Sequence, residues 1–399
     1  MTITNVKGYH VALPAAPYTA AVGESPRSGI TYRNGSAGWE TRPDRRGVFL
    51  AEITTDEGLT GYGECPASYG AHGALEMYRA GILGADPANV FEIMNAQIPG
   101  RGAAGAIRLA LKIPAELSAV EMALWDLMGK AAGLPVMNLM GGRVRKKVAM
   151  ADSIDCFAIE DCLARIERDL TRGVRTVTVK VGADDRRDVE LLRQIRERFG
   201  WNLIVRVDAC GAWGDVCDAS RILRRMEPYN IQYVQDALCR SDGESFRRLR
   251  EMTGVAMAMG QMFGSGFAPA AARVRLMALL RNGDIDVLAV EPWQVGGLQS
   301  FVRLASMCDG AGIDVVTTAV GSSLYQAACL TACIISNTAS YAQHIIPVGC
   351  DGGVLQDLAA QPLLQARDGY LVPPEQPGFG FSPDIDVLKK YCIKTELVA

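Results

Sequence analysis

From about residue 146 onward the chain repeats one texture: a short apolar run, a polar turn, then about a dozen residues at helical spacing. The runs fall near 147–151, 175–181, 203–208, 231–235, 255–259, 286–290, 313–316 and 344–347. The helical stretches between them fall near 158–172, 184–199, 214–228, 243–251, 267–281, 297–311 and 322–336. Strands that are apolar throughout are buried on both faces, as in a parallel sheet whose crossovers are helices. Eight of them read as a TIM-type barrel rather than an open doubly wound sheet. Residues 350–362, short and with two early glycines, make a poor eighth helix.

The first 140 residues lack this alternation. Residues 3–12 read as a strand, and 48–54 with 60–65 as a hairpin whose DEGL turn carries the expected Asp and Gly. Residues 20–46 are rich in Gly, Ser, Arg and Pro and show no period, which reads as a long loop of the kind that forms lids. Residues 73–97 and 103–133 read as mainly helical, the second stopped by Gly133-Leu134-Pro135. The expected organisation is an α+β domain over 1–140, a barrel over 141–355, and a segment over 356–399. In that last segment VPPEQPGFGFSPD leaves the barrel and packs back on the first domain.

Composition narrows the class. The 399 residues are 49% hydrophobic and 21% charged, which excludes wholesale disorder. A net charge of -3 without a basic tract excludes nucleic acid as the main partner. No run approaches the length of a membrane span, and the N-terminus lacks the apolar core of a signal peptide. The 11 Cys are odd in number and form no CxxC pair, as expected of a reduced, cytoplasmic chain. With three His (His10, His72 and His344), a multi-His zinc site is not expected.

In a barrel of this type the chemistry sits at the C-terminal strand ends. The second strand ends at Lys180, the third at Asp208, the fourth at Gln235 and Asp236. The fifth runs into Gln261, the sixth into Glu291, the seventh into Thr317 and Thr318, and the eighth begins near Gln343 and His344. Strand alternation puts Thr178 and Lys180 on one face. A lysine in a barrel mouth is partly desolvated, which lowers its pKa toward that of a useful base; the alternative is a side chain snorkelling to solvent. Asp208 closes the apolar LIVRVD and needs a cation, a metal or several donors; the alternative is a salt bridge with Lys180 or Arg206. Cys210 reads as an inert loop cysteine. Asp236 should face outward where Gln235 faces in, unless a bulge swaps them. Glu291 serves as a second acid, an orienting carboxylate or a salt-bridge partner, and Thr318 as a hydrogen bonder. The Gly-Ser-Ser run at 321–323 either places backbone N–H groups on an anion or caps its helix. No phosphate loop or dinucleotide fingerprint is present.

GYGECP at 61–66, AVEMALWDLMGKAAGLPV at 119–136, GVRTVTVKVG at 173–182, RVDACGAW at 206–213, EPWQVGGLQS at 291–300 and PGFGFSPD at 377–384 form an ordered series. Together they resemble the enolase superfamily, in its mandelate racemase and muconate lactonizing branch. The resemblance implies an α+β capping domain on a modified (β/α)7β barrel, with no eighth helix. It implies an enolate formed beside a substrate carboxylate, Mg2+ holding that carboxylate, and a Lys or His as base. Carried over, the base is Lys180 and the metal positions are Asp208, Gln235 and Gln261, two of them amides where the family has carboxylates. Thr178 replaces the first Lys of a Lys-x-Lys pair, Thr318 and Glu291 replace a His–Asp pair, and Gln343 replaces a Glu. The lid residues Arg27, Tyr32 and Arg33, with Ser322, would read a substrate carboxylate.

These departures imply weakened or lost Mg2+ dependence and one-base chemistry. The leading expectation is a lyase or isomerase of a small carboxylate, with Lys180 as main acid/base and the substrate's charge met by Lys180 and backbone donors. The alternatives are a Mg2+-dependent sugar acid dehydratase and a non-catalytic ligand-binding member. A homo-oligomer is implied by the family.

Overall fold

The computed structural model describes residues 1–12, 21–24, 31–33, 47–66, 75, 81–96, 115–154, 158–239, 242–264, 269–319, 321–344, 358–360, 364 and 366–398. Among these, the front of the chain forms strands β1 (Ile3–Ala12), β2 (Ala21–Glu24), β3 (Thr31–Arg33), β4 (Gly47–Thr55) and β5 (Thr60–Pro66). Helices α1 (Val90–Ala96), α2 (Glu116–Ala132) and the single turn α3 (Val136–Leu139) follow. The hairpin forms where expected: β4 and β5 pair antiparallel from Val48–Pro66 down to Thr54–Thr60.

The glycines of GYGECP are there because α2 lies directly on β5. A Cβ at Gly63 would sit 2.0 Å from the Ala119 carbonyl oxygen, and one at Gly61 would sit 2.2 Å from that of Ala123. Two of the quoted motifs are thus two halves of one contact, which buries Val120, Ala123, Leu124 and Leu127 against Phe49, Ala51 and Ile53.

The stretch 73–97, expected to be mainly helical, is helical among its described residues at Leu75 and in α1. Between them, residues 82–89 are turns and irregular backbone. The sequence GADPAN breaks helix there: Gly84 is left-handed at φ 77°, Pro87 disfavours helix at Asp86, and the Asp86 side chain accepts from the Ala88 N–H at 3.0 Å. Of 103–133, residues 115–133 are described, with α2 ending on a left-handed Gly133.

The barrel strands are β6 (Val148–Ile154), β7 (Thr176–Lys180), β8 (Ile204–Asp208), β9 (Ile231–Gln235), β10 (Met257–Met259), β11 (Val287–Ala289), β12 (Asp314–Ala319) and β13 (Ala339–His344). Seven helices join them: α4 (Ile159–Thr171), α5 (Asp185–Phe199), α6 (Val216–Met226), α7 (Gly243–Thr253), α8 (Pro269–Asn282), α9 (Leu298–Ala311) and α10 (Ser323–Ile334). Each strand pairs in parallel with the next, and β13 closes the cylinder on β6 through Tyr341–Ala149 to His344–Asp152. This is the TIM-type (β/α)7β arrangement. The main core lies between strands and helices, and a smaller one of Tyr233, Ala258, Val287, Ala289 and Val316 fills the interior. The eighth strand begins earlier than the expected 344–347, because its register is set by Val315–Ala339 and Ala319–His344 on β12. The expected absence of an eighth helix falls on residues mostly outside those described.

After the barrel, β14 (Tyr370–Leu371) pairs with β6, and α11 (Ile385–Tyr391) leads into β15 (Cys392–Val398). β15 pairs antiparallel with β1, giving a front sheet of order β15-β1-β4-β5. Acids on α2 tie the parts together through backbone N–H groups. Glu121 accepts from Leu298 and Gln299 at the α9 N-terminus, at 2.5 and 3.0 Å. Asp126 accepts from Tyr62 and Phe379, both at 2.9 Å, and pairs with Lys130 at 2.6 Å. Helix N-termini carry partial positive charge, so a carboxylate there is well met. Burial nonetheless pushes the Glu121 carboxyl up to about 7.

Candidate active site

Register brings the strand-tip residues together. Lys180 pairs with Asp208, and Asp208 with Gln235, across three neighbouring parallel strands, so their side chains leave one face at one end of the barrel. Lys180 Nζ donates to Asp208 Oδ2 at 2.5 Å. Its side chain is 10% exposed, so it does not snorkel to solvent. The other Asp208 oxygen accepts from the Cys210 N–H at 2.9 Å. The two residues on which the sequence places most weight therefore face each other.

Cys210 Sγ lies 3.4 Å from Lys180 Nζ. Burial, reinforced by Asp208, pushes this thiol up to about 12, so it stays protonated and is a poor nucleophile. Thr178 is fully buried one step below Lys180, in register with Arg206. Arg206 is also fully buried; its Nε donates to Gln232 Oε1 at 2.7 Å and its guanidinium lies over the Tyr233 ring at 4.9 Å. By alternation Arg206 shares the face of Asp208 and sits beneath it.

The expectation that Asp236 faces outward is corrected. Its backbone is left-handed, φ 45°, which breaks the alternation after Gln235. Its buried carboxylate accepts from the N–H groups of Gly260 (2.8 Å), Gln261 (2.7 Å) and Met262 (3.2 Å), holding the turn that follows β10. Burial, with Asp208 nearby, pushes it up to about 7. Gln235 is buried and its side-chain oxygen has no hydrogen-bond partner. Gln261 opens a short 3-10 turn, Gln261–Phe263, and is partly exposed.

A second pair stands on the sixth and seventh strands. Thr318 Oγ1 donates to Glu291 Oε1 at 2.9 Å, and the Glu291 N–H donates to Gln294 Oε1 at 2.8 Å within a capping box. The Gly-Ser-Ser run does meet an anion at the α10 N-terminus, and that anion is the chain's own Glu64. Ser322 donates to it through its N–H at 2.7 Å and through its hydroxyl, while the same hydroxyl caps the Leu324 N–H at 3.2 Å. Ser322 is thereby committed to Glu64 rather than to a substrate. Sequence reading passed over Glu64; its signal was its place in the GYGECP motif.

The expected lid contains the two-stranded pair β2–β3, where a structureless loop was expected. Arg27 lies outside the described residues, as do the side chains of Tyr32, Arg33 and Gln343. The backbone of Gln343 is in register with Thr318.

Among the described residues, no group of three or more His, Cys, Asp or Glu is placed to hold a metal ion. Mg2+ leans on carboxylates in near-octahedral geometry. Of the three family positions, Asp208 is the one carboxylate, and both its oxygens are engaged by Lys180 and Cys210. As arranged, these residues do not fit Mg2+.

Residues 161–387 match the family described as Enolase C-terminal domain-like, and residues 38–141 match the Mandelate racemase / muconate lactonizing enzyme, N-terminal domain. The chain is 27% identical over 401 residues to a D-galactonate dehydratase family member of Halomonas elongata, covering 88% of this chain and 93% of that protein. It is 26% identical over 277 residues to a hydrophobic dipeptide epimerase of Enterococcus faecalis, covering 66% and 72%. The fold is similar to that of an N-succinyl Arg/Lys racemase from Bacillus cereus, with TM-score 0.80, 20% identity and full coverage of both chains. It is likewise similar to a muconate lactonizing enzyme from Pseudomonas putida, with TM-score 0.78, 20% identity and coverage of 98% and 100%. With its ordered motifs, its capped eight-stranded barrel and these matches along most of its length, the chain belongs to the enolase superfamily, in the mandelate racemase and muconate lactonizing enzyme branch.

Proposed function

We propose that this protein is a lyase or isomerase of a small carboxylate substrate, working by proton transfer at a carbon near the carboxylate. Lys180 is the main acid/base, and dependence on Mg2+ is weakened or lost. One observation carries this reading: the Lys180 nitrogen and the Asp208 carboxylate meet at 2.5 Å at the open end of the barrel. Relatives named as dehydratases and epimerases support the reaction class.

Paired with Asp208, Lys180 is a positioned ammonium that can deliver a proton and, once it has lost one, take one back. Asp208 orients the nitrogen. The opposite arm is a neutral hydroxyl, Thr318, held by Glu291. A threonine hydroxyl is a poor base at neutral pH, so a two-base racemisation is disfavoured, and elimination or cycloisomerisation through Lys180 is favoured. The enzyme acts as a cytoplasmic homo-oligomer, in keeping with its reduced cysteines and its family.

The test is solvent-deuterium exchange at carbon, followed by proton NMR over a panel of hydroxy and acylamino carboxylates. Wild type exchanges or converts one of them, and Lys180→Met lowers that rate by about 100-fold or more. An undiminished rate in Lys180→Met sinks the reading. A second reading, a Mg2+-dependent sugar acid dehydratase, is favoured by the D-galactonate dehydratase relatives. Calorimetric Mg2+ binding coupled to dehydration of an acid sugar would select it.

A further inference from the structure

The last strand of the front sheet presents an exposed apolar edge. β15 ends the sheet order β15-β1-β4-β5, and among the described residues no strand pairs with its outer side. Such an edge offers a row of N–H and C=O groups to any strand that can match it, and edges are commonly guarded by charge or proline. The solvent face of β15 has neither. Thr395 pairs with Tyr9 and Leu397 with Lys7, which places both on that face. Leu397 is 56% exposed, and Ile393, the extra residue of a bulge opposite His10 and Val11, is 66% exposed. Lys394 and Glu396 pair with His10 and Gly8 on the inner face. Their opposite charges lie 3.4 Å apart, so they do not guard the edge by repulsion.

This edge is complementary to itself. A two-fold axis normal to the sheet runs β15 antiparallel to its own copy and pairs residues that share a face, so the axis passes beside a single residue. Centred on Thr395, it sets Ile393 against Leu397, Thr395 against Thr395 and Lys394 against Glu396. Apolar then meets apolar on the solvent face, and cation meets anion on the inner face. Centred on Lys394, it would set Ile393 against Thr395 and Cys392 against Glu396. Centred on Glu396, it would set Leu397 against Thr395. Of these three registers, the one about Thr395 matches both faces. We infer that two copies of this chain join through β15, antiparallel about Thr395, so that their front sheets become one continuous sheet. The inference rests on the homo-oligomer proposed above and is independent of the chemistry assigned to Lys180.

Two measurements on the full-length protein test it. The first places a cysteine on the axis. Opposed Cα atoms of an antiparallel pair lie about 4.5–5.5 Å apart, within the span of a disulfide. Cys392 Sγ lies 3.5 Å from Thr395 Oγ1, so it is replaced as well to prevent a bridge within one chain. Under oxidised glutathione, Cys392→Ser/Thr395→Cys should run mostly as a covalent dimer on a non-reducing gel, and Cys392→Ser alone should not. The second measurement is analytical ultracentrifugation. Wild type sediments as a multiple of the 42.8 kDa chain. Leu397→Lys sets a cation against Ile393 and should weaken association by about tenfold or more. Ile393→Glu/Leu397→Lys sets opposite charges against each other in this register and should regain it. Both positions are exposed, and circular dichroism checks that the variants fold. Absence of the crosslink, a Leu397→Lys variant that sediments as wild type does, or a folded double variant that stays dissociated overturns the inference and leaves the homo-oligomer to another surface. A wild type that sediments as one chain overturns both, with the edge left to a different partner. Deuterium exchange at carbon decides the role of Lys180 whichever of these is seen.

Discussion

Replacing Glu64 by Gln isolates the carboxylate that the front domain buries on the barrel. In the wild type the two Ser322 donors face it, yet burial outweighs them and the carboxyl is pushed up from 4.5 to about 7. A pKa raised in the folded state contributes stability that is complete below the unfolded value of 4.5. That contribution is lost as pH rises through about 7. A rise of two to three units corresponds to about 3 kcal/mol carried against the folded state once Glu64 is ionised. Glutamine keeps the shape and an oxygen for the Ser322 N–H, and it does not titrate. Near pH 4 the variant should match wild type within about 1 kcal/mol, and at pH 9 it should be the more stable by about 3 kcal/mol. The assay is thermal unfolding of both proteins at the two pH values, where that difference raises the melting temperature by roughly 3–4 °C at pH 9. Other buried acids such as Glu121 titrate in both proteins and cancel in the comparison. A variant destabilised equally at both pH values would refute the assignment of the raised pKa to desolvation.

Gly63→Ala drives a methyl group into the Ala119 carbonyl and should cost more than about 3 kcal/mol, seen as proteolytic release of the front domain. Asp208→Asn leaves the Lys180 ammonium buried without its carboxylate. A loss of about 3–5 kcal/mol in chemical denaturation is expected, together with loss of turnover. Thr318→Ala removes one hydrogen bond from Glu291 and should cost about 1–3 kcal/mol, while exchange at carbon driven by Lys180 persists.

Local periodicity records burial, and burial was the part of this fold open to reading along the chain. A parallel barrel strand is covered on both faces, so it leaves an uninterrupted apolar run, and the helices between such runs follow by length. The strand tips then nominated Lys180 and Asp208, since alternation and the barrel's directionality suffice to point both into the mouth. Partner choice has no such local mark. Glu64 meets Ser322 across 258 positions, and which anion occupies that helix N-terminus was settled by the docking of one domain on another. Asp236 reached the turn after β10 through a single left-handed residue, a backbone choice that composition around it does not record. The eighth strand took its bounds from the register of its neighbours, because a cylinder closes only where hydrogen bonds align on both sides. Chemistry-bearing residue types are thus written position by position, while their charges, contacts and vacancies arise when distant segments share one buried volume.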